Sequence, residues 1–175
     1  MQDGDQLFIE GQEPSRAFAE ARQRRVELHE ALVNLEQEIA SPARGRVADW
    51  AADVTKALLN LQMAFDEHVI AAERPGGLYD EVLEKSPRLA GQVRRLRDEH
   101  PVIGDAITED LDRLAQPVAD DKSDAPTGPD DAADQDPVDD VRDDLQRLMG
   151  LVVRHRQRGA DLVWEAYNLD IGGAE

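Results

Sequence analysis

The sequence predicts an all-α protein, an up-down antiparallel four-helix bundle with a disordered acidic insertion before its last helix. Three observations predict it. Apolar side chains recur at three-and-four spacing over four long stretches. Prolines and glycines punctuate those stretches. The first three are joined by short connections, which favour antiparallel neighbours in a bundle. At 175 residues the chain fits one domain large enough to bury a core without covalent staples.

Residues 1–14 have too little apolar content for an element of their own and read as a loose N-terminal arm, with Leu7, Phe8 and Ile9 available to dock on the body. The bundle then takes residues 15–175. Pro14 and Ser15 open a first helix whose stripe runs through Phe18, Arg22, Val26, His29, Leu32, Leu35 and Ile39, and Ser41 and Pro42 close it. The second helix, Val47 to Glu73, carries the cleanest pattern: Val47, Trp50, Val54, Leu58, Leu61 and Phe65, with His68 in the next place on the stripe. Pro75, Gly76 and Gly77 end it. A short helical piece from Leu78 to Leu83 precedes Pro87, and a third long helix follows, with Val93, Leu96, His100, Ile103 and Ile107 among its apolar face. Pro101 removes a backbone donor beside His100, at a cost of about 3 kcal/mol in an ordinary helix interior, and predicts a kink there. Residues 117–137 are rich in aspartate and proline and poor in apolar side chains, the composition of a disordered acidic linker. The last helix, from about Val138 to Asn168, aligns Val141, Leu145, Leu148, Val152, His155 and Leu162. Trp50, Trp164 and Met63 are expected in the core, as are Tyr79 and Tyr167 with their hydroxyls hydrogen-bonded.

Acidic residues outnumber basic ones 38 to 20, and the formal charge of −18 repels nucleic acid and anionic lipid. The N-terminus lacks the basic start and apolar run of a signal peptide, and no 18-residue apolar stretch occurs. A cytoplasmic protein with neither a nucleic-acid nor a membrane partner is expected. With no cysteine, a metal here must use nitrogen and oxygen ligands.

The four histidines of the chain, His29, His68, His100 and His155, fall one on the apolar stripe of each long helix. A lone imidazole on such a face is ordinarily a hydrogen-bonded core residue. Four of them would each need a separate partner, at about 1–3 kcal/mol for any group left unpaired. A shared ligand answers all four, and imidazole with carboxylate suits iron, manganese or zinc.

The placement of these histidines, with Glu73 shortly after His68 and the Glu99-His100 pair on the third long helix, resembles the hemerythrin-like (HHE cation-binding) domains over Ser15 to Leu169, apart from the linker. The resemblance implies a non-haem centre of two Fe ions, oxo- or hydroxo-bridged, ligated by His29, His68, His100 and His155, with Glu73 and Asp161 as carboxylate ligands. Two departures stand out. The usual second-helix motif places glutamate four residues after the histidine, where this chain has Ala72, and Glu73 is turned about 140° from His68 on a straight helix. Gly104 stands where some members carry a second histidine. The function implied is the binding or processing of a small gaseous or peroxide ligand, O2, NO or peroxide. A peroxide- or NO-consuming oxidoreductase is one alternative and a metal-free helical interaction module another. No residue is singled out as catalytic.

Overall fold

The computed structural model describes residues 15–116 and 137–168. The arm, and the linker up to residue 136, lie outside the described residues. Among those described there is no strand: four long helices, α1 (Arg16–Ala40), α2 (Val47–Glu73), α4 (Ala90–Leu114) and α5 (Pro137–Asn168), are joined by a short helix α3 (Leu78–Lys85) and a 3-10 turn (Pro87–Leu89). None is long and apolar enough to cross a membrane.

Helix starts and stops follow local chemistry. Ser15 caps α1, its Oγ accepting from the Phe18 N–H at 3.1 Å, which satisfies one of the unpaired first-turn donors. Between α2 and α3 the chain reverses over Arg74 to Gly77. Gly76 sits at φ +68°, where side chains are strained. At Gly77 a Cβ would lie 2.8 Å from the carbonyl oxygens of both Ala71 and Arg74. The close turn fixes the end of α2 and with it Glu73. Pro137 belongs to α5 and not to the linker: it is the first helical residue, where its fixed φ suits the helix and its missing N–H leaves no gap. The helix of α4 runs unbroken through Pro101.

All four long helices feed one main core, centred on Leu28 and Leu35 of α1, Trp50 and Phe65 of α2, Ile107 of α4 and Leu148 of α5. A second, smaller core gathers Ala21, Ala72, Tyr79, Val82, Leu96 and Leu162 under α3. Each fully buried leucine in these cores stabilises the fold by about 1.5–3 kcal/mol relative to exposure. On three helices a histidine stands where the stripe passes from one core to the other: between Phe65 and Ala72 on α2, Leu96 and Ile103 on α4, and Val152 and Leu162 on α5.

Met63 and Trp164, expected inside, are 68% and 50% exposed, and Val26 of the first stripe is 46% exposed. Each lies two residues from a buried leucine, Leu61, Leu162 and Leu28, and so about 200° around the helix on its outer side. Trp50 is buried as expected and donates from Nε1 to the Glu38 carbonyl at 3.2 Å.

Candidate metal centre

His68, His100 and His155 are 7%, 4% and 1% exposed, and their ligand atoms all lie within 4.8 Å of one another. The three rings present the same edge. His155 Nε2 is 3.1 Å from His68 Nε2 and 3.2 Å from His100 Nε2. The rings stand steeply to one another, at 88° for His68 with His100 and 87° for His68 with His155. Phe65, 2% exposed, backs all three, with ring centroids 5.9–6.2 Å away.

Carboxylates hold the opposite edges of two rings. His100 Nδ1 meets Glu73 Oε1 in a short contact, and His155 Nδ1 lies 2.9 Å from Glu99 Oε2. Glu73 does not turn toward His68 on its own helix; the end of α2 delivers it across to His100 of α4. Glu99 in turn crosses from α4 to α5, and Arg158 steadies its other oxygen. Sequence reasoning noted Glu99 only as half of a motif. Its role was hidden because it lies 100° from His100 and serves a ring on another helix.

An imidazole that gives its Nδ1–H to a carboxylate keeps a lone pair at Nε2. His100 and His155 then point lone pairs at each other across 3.2 Å, with no proton between them. Adding protons is unfavourable there. Burial lowers the pKa of His100 and of His155 despite the carboxylates, and it pushes His68 down to about 3, with repulsion from His155, His100, Arg25 and Arg156 adding to it. A cation answers the convergent lone pairs. Two nitrogens bound at about 2.0–2.1 Å to one ion stand about 2.9 Å apart at a right angle and about 3.4 Å apart at the tetrahedral angle, which brackets the spacing of His155 Nε2 from each of the other two. The residues present therefore fit a transition-metal ion, and the carboxylate on Nδ1 is the usual support for a ligating histidine.

Tyr79, 3% exposed, stacks on His100 with its hydroxyl 3.5 Å from Nε2. Burial, with the charge of Glu73 behind it, raises its pKa and keeps the hydroxyl protonated. Tyr167 lies elsewhere, donating to Glu81 at 2.5 Å.

Two expected ligands are not brought together with these. His29 is exposed on α1 and accepts at Nδ1 from Arg156 at 3.3 Å. The buried face of α1 runs along Ala17, Ala21, Leu28, Leu35 and Ile39, and His29 is 100° from Leu28. The residues of α1 that line the cavity beside the site are Ala21 and Arg25, which sequence reasoning missed; their phase relative to Leu28 was the available signal. Asp161 is exposed and accepts from Gln157 at 3.1 Å, about 120° around α5 from His155.

No family model matches this chain, and neither does any curated protein or solved structure.

Proposed function

We propose that the chain is a metal-binding protein in which His68, His100 and His155 hold one first-row transition ion, and that it binds or processes a small oxidant there. The observation that carries this reading is the convergence of three buried Nε2 atoms, two of them on rings whose Nδ1 is fixed by Glu73 and Glu99. Three imidazoles leave open positions on such an ion, and a redox-active ion with open positions supplies binding and electron-transfer chemistry for O2, NO or peroxide. The chain's own part is to orient the rings, exclude water on the Phe65 side and offer the Tyr79 hydroxyl as a hydrogen-bond donor beside the site.

The up-down bundle belongs to the same proposal. Trp50 meets the end of α1 while Arg74 at the end of α2 pairs with Glu20 near its start, as antiparallel neighbours would. This frame supports the resemblance to hemerythrin-like domains, with α2, α4 and α5 each contributing a histidine. A second reading is the two-iron centre of that family. It would take Glu73 and Glu99, which lie next to the rings but on their Nδ1 edges, to turn from those edges and span two cations.

Metal analysis of iron-replete and zinc-replete protein tests both. About one ion per chain, lost in His155→Ala and kept in His29→Ala, is expected for the three-histidine centre, and about two irons per chain for the second reading. Protein that takes up neither metal would end both.

A further inference from the structure

A cavity of about 10 Å³, room for roughly one water-sized group, adjoins the histidine cluster. Its walls include Arg25 of α1, His68 and Ala72 of α2, Tyr79, and His155 and Arg156 of α5. Its charge is unusual for so acidic a chain. Arg25 has no carboxylate partner among the described residues, and the neighbours that act on it most are other arginines, Arg156 and Arg22, whose repulsion joins burial in lowering its pKa. Arg156 spends one Nη1 on His29, and its buried Nε has no partner. His68, more than nine-tenths buried, lines the same cavity with an Nδ1 that no group meets. It is the one histidine of the three without a carboxylate.

We propose that this cavity binds a monatomic anion, a halide no larger than chloride, which serves His68 as Glu73 serves His100 and Glu99 serves His155. An anion accepting from His68 Nδ1–H and from the two guanidiniums would satisfy the unpartnered donors together. Such charge-assisted bonds are roughly twice as strong as neutral ones. It would also leave His68 Nε2 free to ligate, so the inference deepens the metal-centre reading and rests on it for the role of His68. A neutral molecule of the same shape offers the arginines nothing comparable.

Chloride is the probe, titrated calorimetrically into the chloride-free full chain both zinc-loaded and chelator-treated, with sulfate as the control too large for the cavity. Saturable chloride binding in both forms is expected, weakened about tenfold or more by Arg25→Met and by Arg156→Met, largely kept by Arg156→Lys, and absent for sulfate. Circular dichroism of each variant separates lost binding from lost folding, and Arg46→Met, whose side chain pairs with Asp53 away from the cavity, should bind as the parent does. No chloride binding in either form would overturn the proposal. So would binding only to the zinc-loaded form that ignores the arginine substitutions, because the anion would then sit on the ion. Zinc uptake in the same samples keeps the two readings apart: zinc without chloride removes the anion site and leaves the metal centre, and arginine-dependent chloride binding without zinc does the reverse.

Discussion

Glu99 and Glu73 act on the centre only through the rings they hold, and their removal should show in affinity and not in folding. Both are partly exposed, at 25% and 34% for the side chain, so an amide replacement leaves no buried charge behind. Glu99→Gln and Glu73→Gln are expected to weaken zinc binding by about 10–100-fold, read by competition with a chelator, while the helical signal stays at the parent value. Equal affinity in both variants would remove the carboxylates from the site. Acid should act on the same rings in chelator-treated protein. Unfolded imidazole takes its proton near 6.5, whereas folded His68 does so only at about 3, and His100 and His155 are also lowered. Between those values the unfolded chain binds more protons, so stability is full above about pH 6.5 and falls as pH drops, by about 1.4 kcal/mol per pH unit for each proton. Denaturant melts at neutral and mildly acidic pH would show this, and a flat or opposite trend would contradict it. Three of the four histidines were legible at this scale because each continues a stripe of large apolar residues. The outer partners were not, since a carboxylate reaching a ring on another helix leaves no periodic mark.

Among the helices, α2, α4 and α5 could be read by periodicity because leucines, isoleucines and valines dominate their buried faces. In α1 the first half of the buried face is built from Ala17 and Ala21, which weigh little in such a reading, and bulky Val26 drew the expected stripe to the wrong side. His29→Ala should therefore change stability by no more than about 0.5 kcal/mol, as an exposed position does. Leu28→Ala, at a residue with no exposure, should cost about 2–5 kcal/mol. Chemical denaturation of the pair decides which side of α1 faces in; a large loss at His29 with a small one at Leu28 would reverse the assignment. The turn after α2 makes a further demand. Gly77→Ala pushes a methyl against two carbonyl oxygens of fixed backbone. A destabilisation of about 1–3 kcal/mol, together with weaker zinc binding through displaced Glu73, is expected; parent-like behaviour in both would show that the turn has room to adjust.

At the level of the whole molecule, removing the ion should lower thermal stability, because an ion that binds only the folded chain adds about 2.7 kcal/mol at a hundredfold excess over its dissociation constant. A chelator that leaves the melting temperature of metal-replete protein unchanged would contradict that. The all-helical class was legible from spacing and punctuation. The arginines beside the site were not, because burial of a guanidinium depends on which helices meet over it. His68 and His155 stand 87 residues apart in sequence yet 3.1 Å apart in space, and Phe65 and the two cores close around them. An ion lodged among three helices in this way would have little surface to leave through, so its residence time would become a property of the fold: the rate at which zinc exchanges with bulk should follow the rate at which the helices separate, speeding up with denaturant and with core truncation at Leu28 even when the three histidines are untouched.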